Sequence, residues 1–465
     1  MEFKQSMLAA ALLAALSGGA QAATVQEVVA DNLAQNPDVA RAIENYRAVT
    51  KEVDQAKAGY FPTVDATLGY GYEWTDKEEG IQDQELNRRE ARLNVNQMLF
   101  DGFATPSEVK RQKARMDSAR SSAIDAAENY ALQASRAYLE LLRRDQLLKL
   151  AKETLYNHVN IYDQIKRRSE SGLGTLASIQ QAEGRLALAE VNTLAAENNL
   201  LDAQASYERV VGHPAPDDLE PMDSMFELPA TLEEAQAVAD ESHPIVGVAQ
   251  SDVEASYAQR DAAKSRMYPR LDLEVERRWD ENIDGIEGDD EDLTAMLRLR
   301  YNLFNGGADK ARIRQTEYQI GEAQQVQRDS MRQIKQSLAL SWNANEILGR
   351  QIEHLEQHVL SSEETRNSYK KQFDIGQRSL LDLLDTENEV FSAKNQLAEA
   401  QLDQQIAQLR ILNGMGQLLG AMDIVVPMEE EVVLAAETLE EEQPAMTEEE
   451  MAPAEGEVET DSSAG

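Results

Sequence analysis

The segment VDATLGYGYEW, residues 64–74, constrains the fold more than any other part of the sequence. Its apolar residues recur at every second position from Val64 to Trp74, and the residues between them are polar, charged or glycine. A period of two indicates a β-strand with one apolar and one polar face. Three later segments alternate in the same way. The sequence therefore predicts four strands, at about 62–74, 89–100, 269–279 and 292–304.

The predicted strands fit two environments. Each is about ten residues long, its far face is charged, and aromatic residues such as Tyr72, Trp74 and Trp279 gather toward the ends. These features match a membrane β-barrel with lipid outside and a watery lumen. A soluble antiparallel sheet packed on helices has the same alternation. Four strands cannot close a barrel around an open lumen, and lipid tolerates no open sheet edge, so a membrane location requires an oligomer.

The chain repeats itself with a period of about 200 residues. At an offset of 207, Pro37 matches Pro244, and at an offset of 204, Gly172 matches Gly376. The offset changes once, by three residues, within a polar segment. An internal duplication explains this pattern. The two predicted repeats cover 23–229, which includes an irregular Pro- and Asp-rich linker, and 230–427.

Beyond the second strand of each repeat, the pattern changes to a helical period. No glycine or proline interrupts residues 107–171, and a continuous helix of that length would extend roughly 100 Å. Apolar residues seven positions apart, such as Leu141 and Leu148, suit left-handed coiled packing. Gly172 and Gly376 mark where each helix ends and another returns. The sequence predicts two very long helical hairpins, at about 106–211 and 307–413.

The two ends of the chain have compositions of their own. Residues 1–22 contain Lys4, an apolar run and small residues up to Ala22, a pattern that predicts a signal peptide cleaved near Ala22 rather than an ordinary N-terminal helix. No later apolar run is long enough for a membrane-spanning helix. Residues 428–465 hold 14 Asp or Glu and no Lys or Arg, which predicts an acidic, disordered tail.

Composition excludes several classes of function. The formal net charge is −39, from 45 basic and 84 acidic residues, so a nucleic acid is a poor partner. The absence of cysteine excludes disulfides, a thiol nucleophile, thiolate metal sites and a lipid-anchoring cysteine. His354 and His358 have the spacing of a metal pair but lack a third ligand at motif spacing. With no reactive cluster and no phosphate-binding loop, the sequence predicts no catalytic, cofactor or metal site.

The segment FDIGQRSLLDLLD, residues 373–385, resembles the periplasmic tip motif of the TolC family of outer-membrane channel-tunnels. LFDG at 99–102 and LFNG at 303–306 are similar to the family's strand-to-helix junctions. The order and spacing of these motifs, together with the signal peptide, the duplication and the long hairpins, extend the resemblance over about 23–427.

The family resemblance implies an α+β membrane protein, a homotrimer in which four strands per chain build one 12-stranded β-barrel. A long α-helical coiled-coil tunnel would continue the barrel through the periplasm. The implied localisation is the outer membrane with a periplasmic extension, in contact with outer-membrane lipid. The implied partners are a periplasmic adaptor (membrane fusion) protein and an inner-membrane ABC or proton-driven pump.

The resemblance also places a gate at the hairpin tips, formed by Ala177, Ser178, Phe373, Arg378, Asp382 and Asp385 beside the tip glycines Gly172 and Gly376. In the family, polar links hold the tip shut; Arg378 matches the linking arginine, and the two aspartates match rings at the entrance. Two rings of three carboxylates would attract cations, whereas the alternative interpretation is a solvated acidic helix face. Ala177 and Ser178 replace a Thr and an Asp of some relatives, and Phe373 lacks the hydroxyl of a common Tyr. Two of the family's links therefore lack their usual partners.

The leading functional prediction is an exit duct of a tripartite export system, which passes proteins (type I secretion) or small toxic compounds to the exterior. The first alternative is a periplasmic coiled-coil adaptor or structural protein, which would share the long hairpins. A duct for multidrug efflux only is the second alternative. An enzyme would need a reactive cluster that the sequence lacks.

Overall fold

The computed structural model describes residues 24–76, 84–172, 174–216, 218–222 and 226–428. The signal peptide predicted for residues 1–22 and residues 429–465 of the predicted acidic tail lie outside these ranges. The chain divides into two units, at Val425, and every element named below belongs to the first of them.

The elements follow one another in the same order in both halves of the chain. In chain order they are α1 (Val25–Leu33), α2 (Pro37–Ala58), β1 (Thr63–Thr75), β2 (Gln84–Phe100), α3 (Ala104–Glu170), α4 (Leu176–Val211), α5 (Leu232–Ser242), α6 (Pro244–Lys264), β3 (Arg270–Glu281), β4 (Asp289–Arg300), α7 (Ala308–Asp374), α8 (Leu380–Met415) and the short α9 (Leu418–Ala421). A prolyl residue opens both α2 and α6, where its missing N–H is not needed.

The four strands form one antiparallel sheet in the order β1-β2-β3-β4. Val64 lies opposite Val95, and Val95 lies opposite Val275, so the apolar residues of three strands share one face. Leu273 and Leu297 continue that face into β4. The register keeps the period-two pattern over most of the sheet, with a shift between Met98 and Phe100 where β2 pairs with β3. Charged residues such as Glu274 and Arg298 lie on the opposite face.

β2 is longer than its apolar alternation. It begins at Gln84, and its first residues pair through charge rather than through apolar contact. Arg88 donates to Glu73 on β1 at 2.8 Å, and Arg89 donates to Glu281 on β3 at 2.9 Å. These cross-strand ion pairs extend the sheet beyond the segment that a hydrophobicity pattern detects.

The apolar face of the sheet is exposed in a single chain. Leu68 on β1 is 83% exposed and Leu297 on β4 is 63% exposed. An apolar surface of this kind requires lipid or another protein to cover it. The outer edges of β1 and β4 also have no strand partner among the described residues.

Two helical hairpins make up most of the chain. α3 and α7 are each 67 residues long, and α4 and α8 are each 36 residues long. At 1.5 Å per residue, the long helices extend about 100 Å. α3 packs on α4, α7 packs on α8, and α3 also packs on α8. In the half of the long helices nearest the tips, the four helices thus form a wall in the order α4-α3-α8-α7.

Small side chains let the shorter helices approach the wall closely. Buried alanines recur every three to four residues along α3, at Ala119, Ala123, Ala127, Ala131 and Ala134. α1, α2, α6 and α9 pack on α3, and α6 also packs on α7, while α5 packs on α7 and α8.

A buried carboxylate fixes α9 on the wall. Glu128 of α3 is 3% exposed and accepts hydrogen bonds from the backbone N–H groups of Leu418 and Leu419, at 3.2 and 3.1 Å. Burial raises the pKa of Glu128 to about 7. The carboxylate therefore supplies the acceptor that the first N–H groups of α9 would otherwise lack.

Across the described residues, no helix combines the length and the apolar character that crossing a bilayer requires.

Candidate gate at the hairpin tips

Each hairpin turns on a glycine in the left-handed backbone conformation. Gly172 and Gly376 both have φ of +78°. At the second tip, the N–H of Gly376 donates to the carbonyl of Phe373 at 3.0 Å, and the N–H of Gln377 donates to the carbonyl of Gln372 at 2.8 Å. These two hydrogen bonds end α7 and reverse the direction of the chain, so that α8 runs back along the wall.

A side-chain cap starts each returning helix. The Thr175 hydroxyl accepts from the N–H of Ser178 at 3.2 Å, and the Ser379 hydroxyl accepts from the N–H of Asp382 at 3.2 Å. The Asp382 carboxylate in turn accepts from the N–H of Ser379 at 3.2 Å, which completes a capping box. Both tips are therefore defined by local hydrogen bonds.

The tip turn gives a testable difference between two glycines. Gly376→Ala should lower the free energy of unfolding by about 1 kcal/mol, because a Cβ is unfavourable at positive φ. Gly184→Ala, within α4 and with open space around its Cβ position, should be neutral or stabilising by up to about 1 kcal/mol. Denaturant unfolding of the purified protein measures both. Equal shifts in the two variants would contradict this explanation of the turn.

Phe373 lies inside the chain, between the two hairpins. It is 5% exposed and belongs to an apolar cluster with Ile161, Ile165, Ala182, Leu380, Leu383 and Leu384. The Arg168 guanidinium lies 4.7 Å from the centre of its ring and donates to the carbonyl of Phe373 at 3.2 Å and to that of Asp374 at 2.8 Å. Phe373 thus fastens α7 and α8 to α3, and its ring is not available at the tip surface.

Arg378 contacts its own hairpin. Its Nε donates to Gln372 Oε1 at 3.0 Å, and its guanidinium lies 4.3 Å from the centre of the Tyr369 ring. Its Nη1 is 3.9 Å from a carboxylate oxygen of Asp382. The side chain is 39% exposed, so it also remains accessible to another copy of the chain.

The two aspartates differ in their surroundings. Hydrogen bonds from the Ser379 hydroxyl and backbone hold the pKa of Asp382 below its usual value. Asp385 is paired with Arg185 of α4, at 3.2 Å between Oδ1 and Nη2. Asp382 therefore serves the helix cap, whereas Asp385 links the second hairpin to the first.

The remaining two predicted gate residues lie at the first tip. Ala177 is exposed, and the Ser178 hydroxyl lies 2.9 Å from that of Thr175. Ser178 therefore takes part in the cap of α4. Arg168 and Arg185, which no sequence motif identified, provide two links between the hairpins within one chain.

A third polar contact between the hairpins lies within the helices, beyond the tip turns. Glu387 of α8 is 6% exposed; it accepts from Asn157 of α3 at 3.2 Å and lies 3.8 Å from Arg366 of α7. Burial raises the pKa of Glu387, while the positive charge of Arg366 opposes that rise. Nearby, burial and then the charge of Arg185 lower the pKa of His158. Buried ionisable groups thus join α3, α7 and α8 close to the gate.

One member of the predicted histidine pair, His358, is paired with a glutamate instead. His358 Nε2 lies 3.3 Å from Glu389 Oε1, across the second hairpin. In the part of the chain that the structure describes, no three His, Asp or Glu side chains come close enough to hold a metal ion.

Comparison with known proteins agrees with this architecture. The outer membrane efflux protein family model matches residues 28–213 and 237–417. The outer membrane efflux protein BepC of Brucella suis biovar 1 is 25% identical over 328 residues, which cover 70% of this chain and 72% of BepC. The outer membrane protein TolC of Vibrio cholerae serotype O1 is 22% identical over 423 residues, which cover 89% of this chain and 95% of TolC.

The same fold occurs in solved structures. The structure of the outer membrane protein VceC from Vibrio cholerae matches with a TM-score of 0.72 at 17% identity, covering 84% of this chain and 96% of VceC. The α+β fold and the family predicted from the sequence are confirmed. With the family model matching long segments of both halves, this chain belongs to the outer membrane efflux protein family.

Proposed function

We propose that three copies of this chain form an outer-membrane exit duct, which carries exported molecules from an inner-membrane pump to the exterior. One observation carries the proposal. The sheet ends in two edges that have no strand partner within the described chain. The outermost helices of the wall, α4 and α7, present exposed apolar side chains at their outer edges, although α7 also packs on α6. A ring of identical copies pairs all of these edges at once.

The sheet supplies the first pair of edges. Pairing β4 of one copy with β1 of the next leaves no free edge only when the ring closes. Three copies give 12 strands, enough for a barrel with an open lumen. The apolar face, with Leu68 and Leu297, then faces lipid.

The helical wall supplies the second pair. α4 exposes Leu188, Val191 and Leu194, and α7 exposes Leu340 and Ile347, each of them at least 49% accessible. Their spacings of three and seven residues give a stripe along each outer helix. When α7 of one copy packs on α4 of the next, three copies enclose a helical tunnel. The copies then follow one another around the tunnel in the same order as around the barrel.

The polar face of the sheet suits a water-filled lumen. Asp272 is fully buried between Arg270, at 3.0 Å, and Arg300, at 2.7 Å. Glu274 accepts from Arg298 at 2.7 Å and from Arg300 at 2.5 Å. Charges that neutralise one another in this way are compatible with the interior of a barrel and not with lipid contact.

The proposed cargo is protein, through type I secretion, or small toxic compounds, and the proposed partners are a periplasmic adaptor and an inner-membrane pump. The mature chain would begin after cleavage near Ala22 and reside in the outer membrane with a periplasmic extension. We assign it transport and no catalysis. The alternative role as a periplasmic adaptor gives no reason for an exposed apolar sheet face, and it predicts release from membranes by a carbonate wash.

The six predicted gate residues keep their proposed role, with one change. Phe373 acts through packing, whereas Arg378, Asp382 and Asp385 line the axis where three tips meet. Asp382 does so in addition to its part in the helix cap, and Asp385 in addition to its pair with Arg185. Replacing Asp382 and Asp385 by Ala should weaken the preference for cations and the block by multivalent cations severalfold in single-channel recordings.

Arg378→Ser should raise the single-channel conductance because it removes a contact that holds the tip closed. If all three positions can be changed without effect, the constriction lies elsewhere.

Reconstitution tests the duct itself. Purified protein should give discrete single-channel currents in planar bilayers, and the native protein should stay in the outer-membrane fraction after a carbonate wash. A strain without the gene should retain exported proteins or become sensitive to toxic compounds. Release by the wash together with absence of conductance would overturn the proposal in favour of the adaptor.

A further inference from the structure

A large cavity lies on one face of the helical wall, far along the hairpins from the tips. Its volume is about 630 Å³, and all four long helices line it. The small side chains of Ala137, Ala344 and Ala407 leave the space open. Because these residues all belong to one chain, the cavity does not depend on how copies assemble.

Positive charge is concentrated in this cavity. Its charged lining residues are Arg136, Arg143, Arg209 and Arg410, against Glu140 and Asp403. Four arginines against two carboxylates leave two uncompensated positive charges, in a chain whose net charge is −39. A general excess of basic residues therefore cannot explain the cluster.

Three of the arginines are free to bind a ligand. Within the described part of the chain, Arg136, Arg209 and Arg410 form no ion pair. Arg143 pairs with Glu140 and, at 3.4 Å, with Asp403, yet its Nε is buried without a hydrogen-bond partner. Buried donors of this kind are costly unless an acceptor satisfies them.

The cavity is open on the uncovered face of the wall. Tyr138 of α3 is fully buried, and its hydroxyl donates to the carbonyl of Glu220 in the linker at 2.8 Å. Arg136, Glu140 and Arg143 lie on the other side of the same helix, since they are displaced by two and five residues from Tyr138. The linker therefore covers one face of the wall, and the arginines line the other.

We propose that this cavity is a binding site for multivalent anions that carry carboxylate or phosphate groups. Guanidinium groups bind both kinds of oxygen in a two-point geometry, and several of them converge here from different helices. In the proposed duct, this cavity is a positively charged binding site on a route whose gate is acidic. Binding of the anion itself needs only one chain.

Calorimetry of the full chain, purified in lipid nanodiscs, tests the site. Sodium pyrophosphate and sodium citrate serve as separate probes, which distinguish phosphate from carboxylate ligands. We expect one anion per chain. The double variant Arg209→Gln with Arg410→Gln should weaken binding roughly a hundredfold, since each charge-assisted contact contributes about tenfold. Arg332→Gln, an exposed arginine of α7 outside the cavity, should leave the affinity unchanged.

A variant that keeps every charge distinguishes binding within a shaped cavity from general electrostatic attraction. Ala344→Leu should weaken binding at least tenfold by obstructing part of the cavity, with no change in net charge. Thermal unfolding of each variant confirms that the fold is intact. Absence of binding by the parent protein would overturn the proposal, and so would equal affinity in the parent and the double variant. Loss of conductance with retained binding would contradict the duct and leave the anion site standing.

Discussion

Leu297→Arg should destabilise the assembled protein by about 2–4 kcal/mol, the cost of placing an arginine on the lipid-facing side of a barrel near the middle of the bilayer. Leu297 lies opposite Leu273 in the register, within the exposed apolar face. Urea unfolding in lipid vesicles measures the change, and the amount of assembled protein in the outer membrane should fall accordingly.

The matched control is Thr294→Arg, three residues away on the opposite face of the same strand. Thr294 lies opposite Glu276, so the new arginine gains a carboxylate neighbour in a watery lumen. We expect a change within about 1 kcal/mol. If Thr294→Arg proves as harmful as Leu297→Arg, the apolar face does not contact lipid.

Arg366→Met should lower the free energy of unfolding by about 3 kcal/mol at pH 8, because it removes the cation that pairs with the buried carboxylate of Glu387 and leaves only the charge of Lys370 nearby. The pKa of Glu387 is already raised by burial, and removing Arg366 raises it further. A carboxyl whose pKa is higher in the folded state destabilises the fold at high pH and less as the pH falls toward its unfolded value. The variant should therefore recover part of its stability at pH 5.

Two further variants identify the cause. Adding Glu387→Gln to Arg366→Met should restore most of the lost stability, since no charge then remains buried. Arg350→Met on the same helix removes an exposed pair with Glu346, at 3.7 Å, and should cost less than about 0.5 kcal/mol. A pH-independent loss in Arg366→Met would point to lost packing instead of an unpaired charge.

The sequence allowed the sheet and the hairpins to be predicted because their signals are local. Period two places Leu68 and Leu297 on one face without reference to the rest of the chain, and the glycines at the tips mark positions that need positive φ. The start of β2 was not predictable in this way, since Arg88 pairs with Glu73 through charge and not through an apolar pattern.

The gate was less predictable because its contacts join residues about 200 positions apart. Arg168 meets the carbonyl of Asp374, and Arg185 meets Asp385, across two hairpins whose relative register no local pattern reveals. The burial of Phe373 did leave a signal, because Leu380 and Leu383 follow the same turn with apolar spacing. The resemblance to the family identified Phe373 as a gate residue by position, and the structure places it in the apolar cluster between the hairpins.

Cross-linking of β1 to β4 in outer membranes tests the duct most directly. The chain contains no cysteine, so Thr67→Cys in β1 combined with Thr294→Cys in β4 introduces the only two thiols, both on the polar face of the sheet. Three strand spacings, about 14 Å, separate β1 from β4 within one chain, so a bismaleimide of about 8 Å reach should link only neighbouring copies. We predict products of two and three chains and none larger, with no product from Thr67→Cys alone. A product limited to single chains, or a ladder that continues beyond three, would contradict a closed trimeric barrel.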